Sequence, residues 1–380
     1  MQTVKLKITA LTPLHLGTGE DYDPTNFVVD GGYLYEFNEV DFYKRLDKKQ
    51  KEEFIKAVES KSNESLFAVH RVIKQNKKVA IEASFNRVQV PKSIEKAYEH
   101  KIGRAVQIEG GRRRPHTKVF NQFLIAKTSR LKNSRRVYIP GSSLKGAIST
   151  ALQEHIFKKN PKLHKRLFED VFAGESFMKE LSVADTIPQK TYAIIGYALN
   201  KERFEDDELG PNTILEVIYS SEKQQSVFEA TLTFKERFNS LPYQTNIEEI
   251  KKASNEHYLP IFRQMFKAYA QFKGKSVDDY TNEYFSDGFY NKYKDLKLKE
   301  NQFLLRVGKY SQARAVTIDG KRKIRVKISG GGPRRKPNRW ETLDQETTTW
   351  MFGFNDRANS NLMPFGWVLC EIIEQSKDSL

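Results

Sequence analysis

The feature that most constrains this chain lies near its middle, where a strand-like segment stops and a helical pattern begins at once. Val137, Tyr138 and Ile139 read as the end of an extended segment, and Pro140 and Gly141 interrupt it. Apolar residues then recur at Leu144, Ala147, Ile148, Ala151, Leu152 and Ile156, the spacing of one helical face. Ser142 or Ser143 is expected to be the N-cap, its hydroxyl accepting from an unpartnered backbone N–H. The helix start therefore carries two hydroxyls and Lys145. Free N–H groups and the positive end of the helix dipole attract anions there, a phosphate above all. The same residues also suit an ordinary capped helix packed on a sheet. A Walker A loop is excluded, because Lys145 precedes Gly146 and the four-residue spacer between glycines is absent.

Elsewhere the two periods mix without a regular order. Val4, Leu6, Ile8 and Ala10 alternate with polar residues, a half-buried strand. Phe27 to Phe37 reads as a hairpin turning at Asp30-Gly31-Gly32. A helix is expected from Asp41 to Ser60, with Phe42, Leu46, Phe54, Ile55 and Val58 inward, and Asn63 should cap a second one through Leu66, Phe67 and Ile73. From Val79 to Arg136 the chain reads as extended and basic, with Arg112-Arg113-Arg114 at a hairpin or loop tip. Phe168 to Phe177 continues helical, and Leu181 to Ile187, Thr191 to Asn200 and Gln225 to Phe234 read as strands. Ile247 to Phe272 is helical, with Pro260 starting or kinking it. Gly274 to Lys299 reads as a linker or mobile insertion. Further strands follow at Phe303 to Val307, at Ile324 to Ile328 and from Trp367 to Ile372. Such a mixture predicts an α+β protein rather than a doubly wound sheet. It divides into an N-terminal region, 1–190, with a basic insertion near 79–136, and a C-terminal region, 191–380, with a helical insertion near 246–300.

Charge points to a partner. Lys and Arg number 64 against 48 Asp and Glu, a net charge of +16. A sustained basic excess suits a polyanion, although it also simply keeps a protein in solution. The 25 Phe and 17 Tyr supply core and possible base-stacking faces. One cysteine, Cys370, sits in an apolar run, so no intramolecular disulfide forms and a buried thiol is expected. No signal peptide and no apolar run of membrane-spanning length is present, which predicts a cytoplasmic protein.

Three stretches could meet phosphates. The first is Gly141, Ser142, Ser143 and Lys145. In the second, Gly17-Thr18-Gly19 beside His15, small residues let a ligand approach the backbone. The third is Arg306, Gly308 and Lys309, with Arg314 and Arg325 beyond, and no acidic residue from Lys321 to Trp340. His15 lacks a second histidine nearby for acid–base work, so RNA contact or a structural hydrogen bond is expected of it. Asp21, Asp23 and Asp30 read as solvated loop acids. No Cys/His cluster suggests zinc. Neither a metal nor a cofactor is expected.

The segment Ile139-Pro140-Gly141-Ser142-Ser143-Leu144-Lys145-Gly146 resembles the signature of the RAMP superfamily, the RNA-binding proteins of CRISPR systems. That pattern usually continues with Arg shortly before a Thr, where this chain has Ser149. Leu11 to Gly19 with Asp21-Tyr22-Asp23-Pro24 is similar to the opening of the type III-A subunits that cap the crRNA 3′ end, and Leu181 to Thr186 and Pro364 to Val368 also fit them. The resemblance implies ferredoxin-like, RRM-type cores with a β-hairpin thumb. It implies a non-catalytic subunit that holds the 3′ part of the crRNA, ends the filament of backbone subunits and supports maturation of that end. Its partners would be crRNA, target RNA, the RAMP backbone subunits and host ribonucleases, with no membrane. The alternative is a RAMP endoribonuclease acting at His15 or at the Asp21/Asp23 loop. A third reading is an assembly protein whose basic face meets acidic neighbours.

Overall fold

A computed structural model describes the chain except for residues 60–64, 104–106, 109–117, 120–122, 170–175, 203–211, 222, 236–242, 269–286, 329–338, 344–345, 347 and 378–380. Strand β1 (Gln2–Ala10) has the alternation read from the sequence, with Val4, Leu6, Ile8 and Ala10 buried and Lys5 and Lys7 exposed. β2 (Gly17–Tyr22) precedes the expected hairpin of β3 (Phe27–Asp30) and β4 (Tyr33–Phe37). Its turn residues Gly31 and Gly32 have φ of 57° and 81°, the left-handed backbone that a two-residue turn of this kind needs.

The helix expected from Asp41 to Ser60 is two helices, α1 (Glu39–Arg45) and α2 (Lys48–Glu59). Leu46 leaves helical backbone, and Asp47 restarts it with Gln50. The Gln50 N–H donates to Asp47 Oδ1 at 2.8 Å and the Asp47 N–H donates to Gln50 Oε1 at 2.9 Å, a reciprocal cap. Ile55 and Val58, expected inward, are exposed. α3 (Ser65–Gln75) buries Phe67 and Ile73 as expected; Asn63 lies outside the described residues.

The stretch read as extended from Val79 to Arg136 holds α4 (Lys77–Glu82), β5 (Ser84–Gln89) and α5 (Lys92–Lys101). In α5 only Ile94, Ala97 and Tyr98 carry the helical spacing, and lysines dilute it. β6 (Gln107–Ile108) and β7 (Lys118–Val119) pair antiparallel. The Arg112, Arg113 and Arg114 tip between them lies outside the described residues. β8 (Ile125–Thr128) leads to α6 (Gly141–Lys159) and α7 (Pro161–His164), which passes into a π-helical turn at Lys165–Glu169.

The strand read from Leu181 to Ile187 is split into β9 (Leu181–Val183) and β10 (Ile187–Lys190). β11 (Ala193–Glu202), β12 (Thr213–Ile218), β13 (Val227–Phe234) and α8 (Ile247–Ala268) follow, Pro260 lying inside α8. A short helix, Asp287–Tyr293, buries Phe289, Tyr290 and Tyr293, so this end of the segment read as a linker is core. β14 (Gln302–Arg306) precedes a helical turn at Gln312–Val316. Then come β15 (Ile324–Ile328), β16 (Arg339–Leu343), β17 (Thr348–Gly353), β18 (Met363–Pro364) and β19 (Trp367–Lys377).

One antiparallel sheet has the order β10-β13-β1-β19-β14, with β9 also on β13. α6 and α8 pack together against it: the Tyr258 hydroxyl of α8 donates to the Ala147 carbonyl of α6 at 2.9 Å, and Phe262 meets Trp367 edge-on at 4.9 Å. Strand–helix–strand–strand–helix–strand from β1 through α6, β9/β10, β13 and α8 to β19, in this sheet order, is ferredoxin-like, with β14 added at the edge. The regions on either side of residue 190 share this sheet. A second sheet runs β2-β8-β12-β11-β5-β4-β3, with β17 also paired to β11, and both sheets contribute to one main core. The fold is α+β, as the mixed periods predict.

Candidate nucleic-acid interface

At the start of α6 the cap differs from expectation. Pro140 occupies the N-cap position and neither Ser142 nor Ser143 caps with its hydroxyl. The helix begins two or three residues earlier than expected, at Gly141, whose N–H donates to Asp185 Oδ1 at 2.8 Å. Beside it the Ile139 N–H donates to Thr186 Oγ1 at 2.8 Å, and the Thr186 N–H to the Ile139 carbonyl at 3.1 Å. The break between β9 and β10 therefore exists to clasp this turn. Gly141 is needed for that approach: a Cβ would run into the Val183 carbonyl oxygen and the Ala184 backbone. Ser142 is exposed, while Ser143 and Lys145 are half-buried. Desolvation, then the charge of Lys235, lowers the Lys145 pKa. Lys235 follows β13 directly and is exposed. Among the described residues no carboxylate ion-pairs with either lysine, so two like charges flank a helix start whose first N–H is already taken by an internal carboxylate.

The second and third stretches come together. The Lys309 N–H donates to the His15 carbonyl at 2.9 Å. Gly308, at φ 85°, lets this happen, since a Cβ there would meet the same carbonyl at 2.6 Å. The exposed run Gly17-Thr18-Gly19 at the start of β2 therefore begins two residues beyond the point to which the exposed Lys309 is bound. His15 itself is buried, its Nδ1 2.8 Å from the Glu216 carbonyl oxygen, and burial lowers its pKa. The structural hydrogen bond expected for His15 is present.

Arg306 departs from expectation. It is buried, its Nε donating to the Phe365 carbonyl at 2.9 Å, with its guanidinium 4.9 Å from the Trp367 ring centre. β14 is buried on both faces, so the alternation of Phe303, Leu305 and Val307 did not make Arg306 a surface residue. Arg314 is half-buried, its Nη2 donating to Gln264 Oε1 at 2.5 Å and its N–H to Glu346 Oε1 at 2.6 Å. Arg325 is exposed on β15 and stands 5.3 Å from the Trp340 ring centre.

Sequence reading missed the anchor beneath these loops. Glu216 is fully buried on β12, accepts Arg130 Nε at 3.0 Å and also Arg130 Nη2, and takes the Thr128 N–H at 3.2 Å. A buried carboxylate needs such a full set of donors. It fastens β8 to β12 beneath His15, and only tertiary structure shows the pairing, 86 residues apart.

The acids of the β2 loop are occupied or solvated. Asp21 is exposed, and Asp23 Oδ1 accepts the Thr25 N–H at 2.9 Å within its own turn. Among the described residues no three His, Cys, Asp or Glu side chains converge to hold a metal ion, and no helix is long and apolar enough to cross a membrane. Cys370 is buried, which pushes its thiol pKa up.

The sequence pattern of the RAMP superfamily matches residues 7–309. A chain in the cryo-EM structure of a Csm–crRNA–target RNA ternary complex from a type III-A CRISPR–Cas system is similar, with TM-score 0.57 and 16% identity over 98% of this chain and 100% of that one. The crystal structure of Csm5 from T. onnurineus aligns with TM-score 0.50 and 14% identity over 82% of this chain and 92% of that one. No curated protein sequence matches significantly. At such identities the shared property is the fold.

Proposed function

Since this chain belongs to the RAMP superfamily, we propose that it is a non-catalytic RNA-binding subunit of a type III-A CRISPR effector, holding the 3′ part of the crRNA. The observation that carries the reading is the junction of Gly17-Thr18-Gly19 with Gly308-Lys309 on an exposed edge of a chain of charge +16. The exposed glycine-bearing start of β2, where no side chain blocks approach to the backbone, and one lysine suit a phosphate backbone without reading its bases. Similarity to a chain from a Csm complex with crRNA and target RNA supports RNA and sister subunits as partners. The position at the crRNA 3′ end rests on the likeness of Leu11 to Gly19 and Leu181 to Thr186 to the subunits that cap it. There the protein would end the filament and protect the RNA or present it to host nucleases. The buried, hydrogen-bonded His15 and the self-capped Asp23 favour binding over cleavage.

Binding of labelled crRNA is expected to weaken steeply as salt rises, because each phosphate contact releases counterions. A flat dependence of log affinity on log salt would refute RNA binding and favour the assembly protein. The same RNA should survive incubation with Mg²⁺ or Mn²⁺. Cleavage abolished by His15→Ala or Asp23→Ala would overturn the non-catalytic assignment.

A further inference from the structure

On the second sheet the structure holds an aromatic and arginine surface that motif reading passed over. Phe85 on β5 is 45% exposed and Tyr33 on β4 is 36% exposed. The Arg135 guanidinium lies 4.6 Å from the centre of the Phe85 ring, and that of Arg87 lies 5.4 Å from the centre of the Tyr33 ring. Tyr35 extends the group, 6.2 Å from Tyr33. Arg87 pairs directly with Tyr35 across β4 and β5, and Phe85 lies two residues from it on the same strand.

Two features show that this surface is built. Phe85 is the extra residue of a β-bulge: Glu36 pairs with Asn86 and Phe37 with Ser84, leaving Phe85 unpaired between them. Bulges re-aim a side chain at the cost of ladder hydrogen bonds. Arg135, meanwhile, has φ of 57°, a left-handed backbone that is strained for a non-glycine residue. It is held there by a tight turn, its N–H donating to the Leu131 carbonyl at 2.9 Å and its own carbonyl accepting from Arg130 Nη1. The turn thus rests on the Arg130–Glu216 pair, and it aims an arginine at an exposed phenylalanine. Among the described residues no carboxylate pairs with Arg87 or Arg135, and Lys132 and Arg136 stand exposed beside the latter.

We propose that this surface is a second RNA track, gripping single-stranded RNA by stacking. The proposal rests on the RNA-binding reading above and adds a contact of different chemistry. Exposed rings offer faces on which a base can stack, and the guanidinium beside each ring offers N–H donors to phosphate oxygens. An acidic peptide would use the arginine donors but has no base to lay on the exposed rings.

The test is titration of labelled oligouridine with the full chain, with melting curves alongside. Phe85→Ala and Arg135→Gly should each weaken binding about tenfold, the scale of one lost base stack. Arg135→Gly should melt at the same or a higher temperature, because glycine accepts the left-handed backbone. Lost affinity without lost stability would therefore be the signature of an RNA contact. Unchanged oligouridine binding in both variants, while Lys145→Ala weakens it, would overturn the second track and leave the first. Unchanged RNA binding with loss of binding to an oligoaspartate peptide would also overturn it, assigning the surface to an acidic protein. No binding of oligouridine by the unaltered chain would instead refute the RNA-binding reading itself.

Discussion

Asp185→Asn should lower stability slightly and raise affinity for RNA, two effects of opposite sign from one charge. The carboxylate sits at the positive end of the 19-residue α6 and accepts its first N–H at 2.8 Å. Asparagine keeps an acceptor and removes the charge, losing about 0.3–1 kcal/mol of charge–dipole attraction. Alanine loses the acceptor too, about 0.5–2 kcal/mol for a cap. A chain of 380 residues unfolds with an entropy near 0.8 kcal/mol/K, from about 2.1 cal/mol/K per residue. Melting should then fall by about 1 °C or less for Asn and about 1–2 °C for Ala. A phosphate drawn to Lys145 would lie within a Debye length, about 10 Å at 0.1 M salt, of the Asp185 charge. Removing that repulsion in a water-like medium is worth about 0.5 kcal/mol, or about twofold in affinity. Scanning fluorimetry and RNA titration at two salt concentrations measure both effects, the affinity gain being larger at low salt. Weaker RNA binding by a well-folded Asp185→Asn protein would refute the reasoning, as would unchanged affinity at low salt.

Lys145→Ala should weaken RNA binding moderately and reduce the salt slope by about one phosphate, without unfolding the protein, since alanine is the better helix former; titration across a salt series reads the slope. Arg306→Ala should lower the melting temperature by several degrees, because it opens a cavity against Trp367 and strands the Phe365 carbonyl; a surface RNA contact would leave melting unchanged. Glu154 is 5% exposed, and burial opposes its ionisation. His257 at 2.8 Å, Lys158 at 2.6 Å and the Asp319 N–H at 2.9 Å overcome this and push its pKa down to about 2 from 4.5. A lowered folded pKa stabilises above the unfolded value, here on the order of 3 kcal/mol, and that contribution fades as pH falls from about 4.5 toward 2. Melting curves of Glu154→Gln across that range should show a flatter acid limb than the unaltered protein.

Periodicity disclosed the strands and helices whose one face meets the core. Val4 to Ala10 and Phe228 to Phe234 could be read because polar residues mark their open side. Arg306 could not, since β14 is buried on both faces and a buried arginine looks the same in sequence as an exposed one. α5 was hidden because Ile94 and Tyr98 suffice to anchor it and lysines fill the rest. At the turn before α6, sequence located the helix start, but its cap came from Asp185, 44 residues away. Local patterns favour a local cap, and no spacing rule reports a distant one. The stacked Phe85–Arg135 pair escaped for the same reason, and also because a lone exposed phenylalanine is ordinary on a protein surface.

The central position of β1 bears on how the chain is made. Its edges are claimed by β13 and β19, beginning at Val227 and Trp367. At a ribosomal pace of about 5–20 residues per second, β1 has both edges bare for roughly 10–45 seconds and one edge bare for about 7–28 seconds more. During that interval Val4, Leu6 and Ile8 are an apolar ribbon with free hydrogen-bonding edges, the kind of segment that chaperones shield and that pairs wrongly when crowded. Lys5 and Lys7 project from the opposite face of the ribbon and put positive charge along it. They discourage two nascent chains from zipping together before their proper neighbours have emerged.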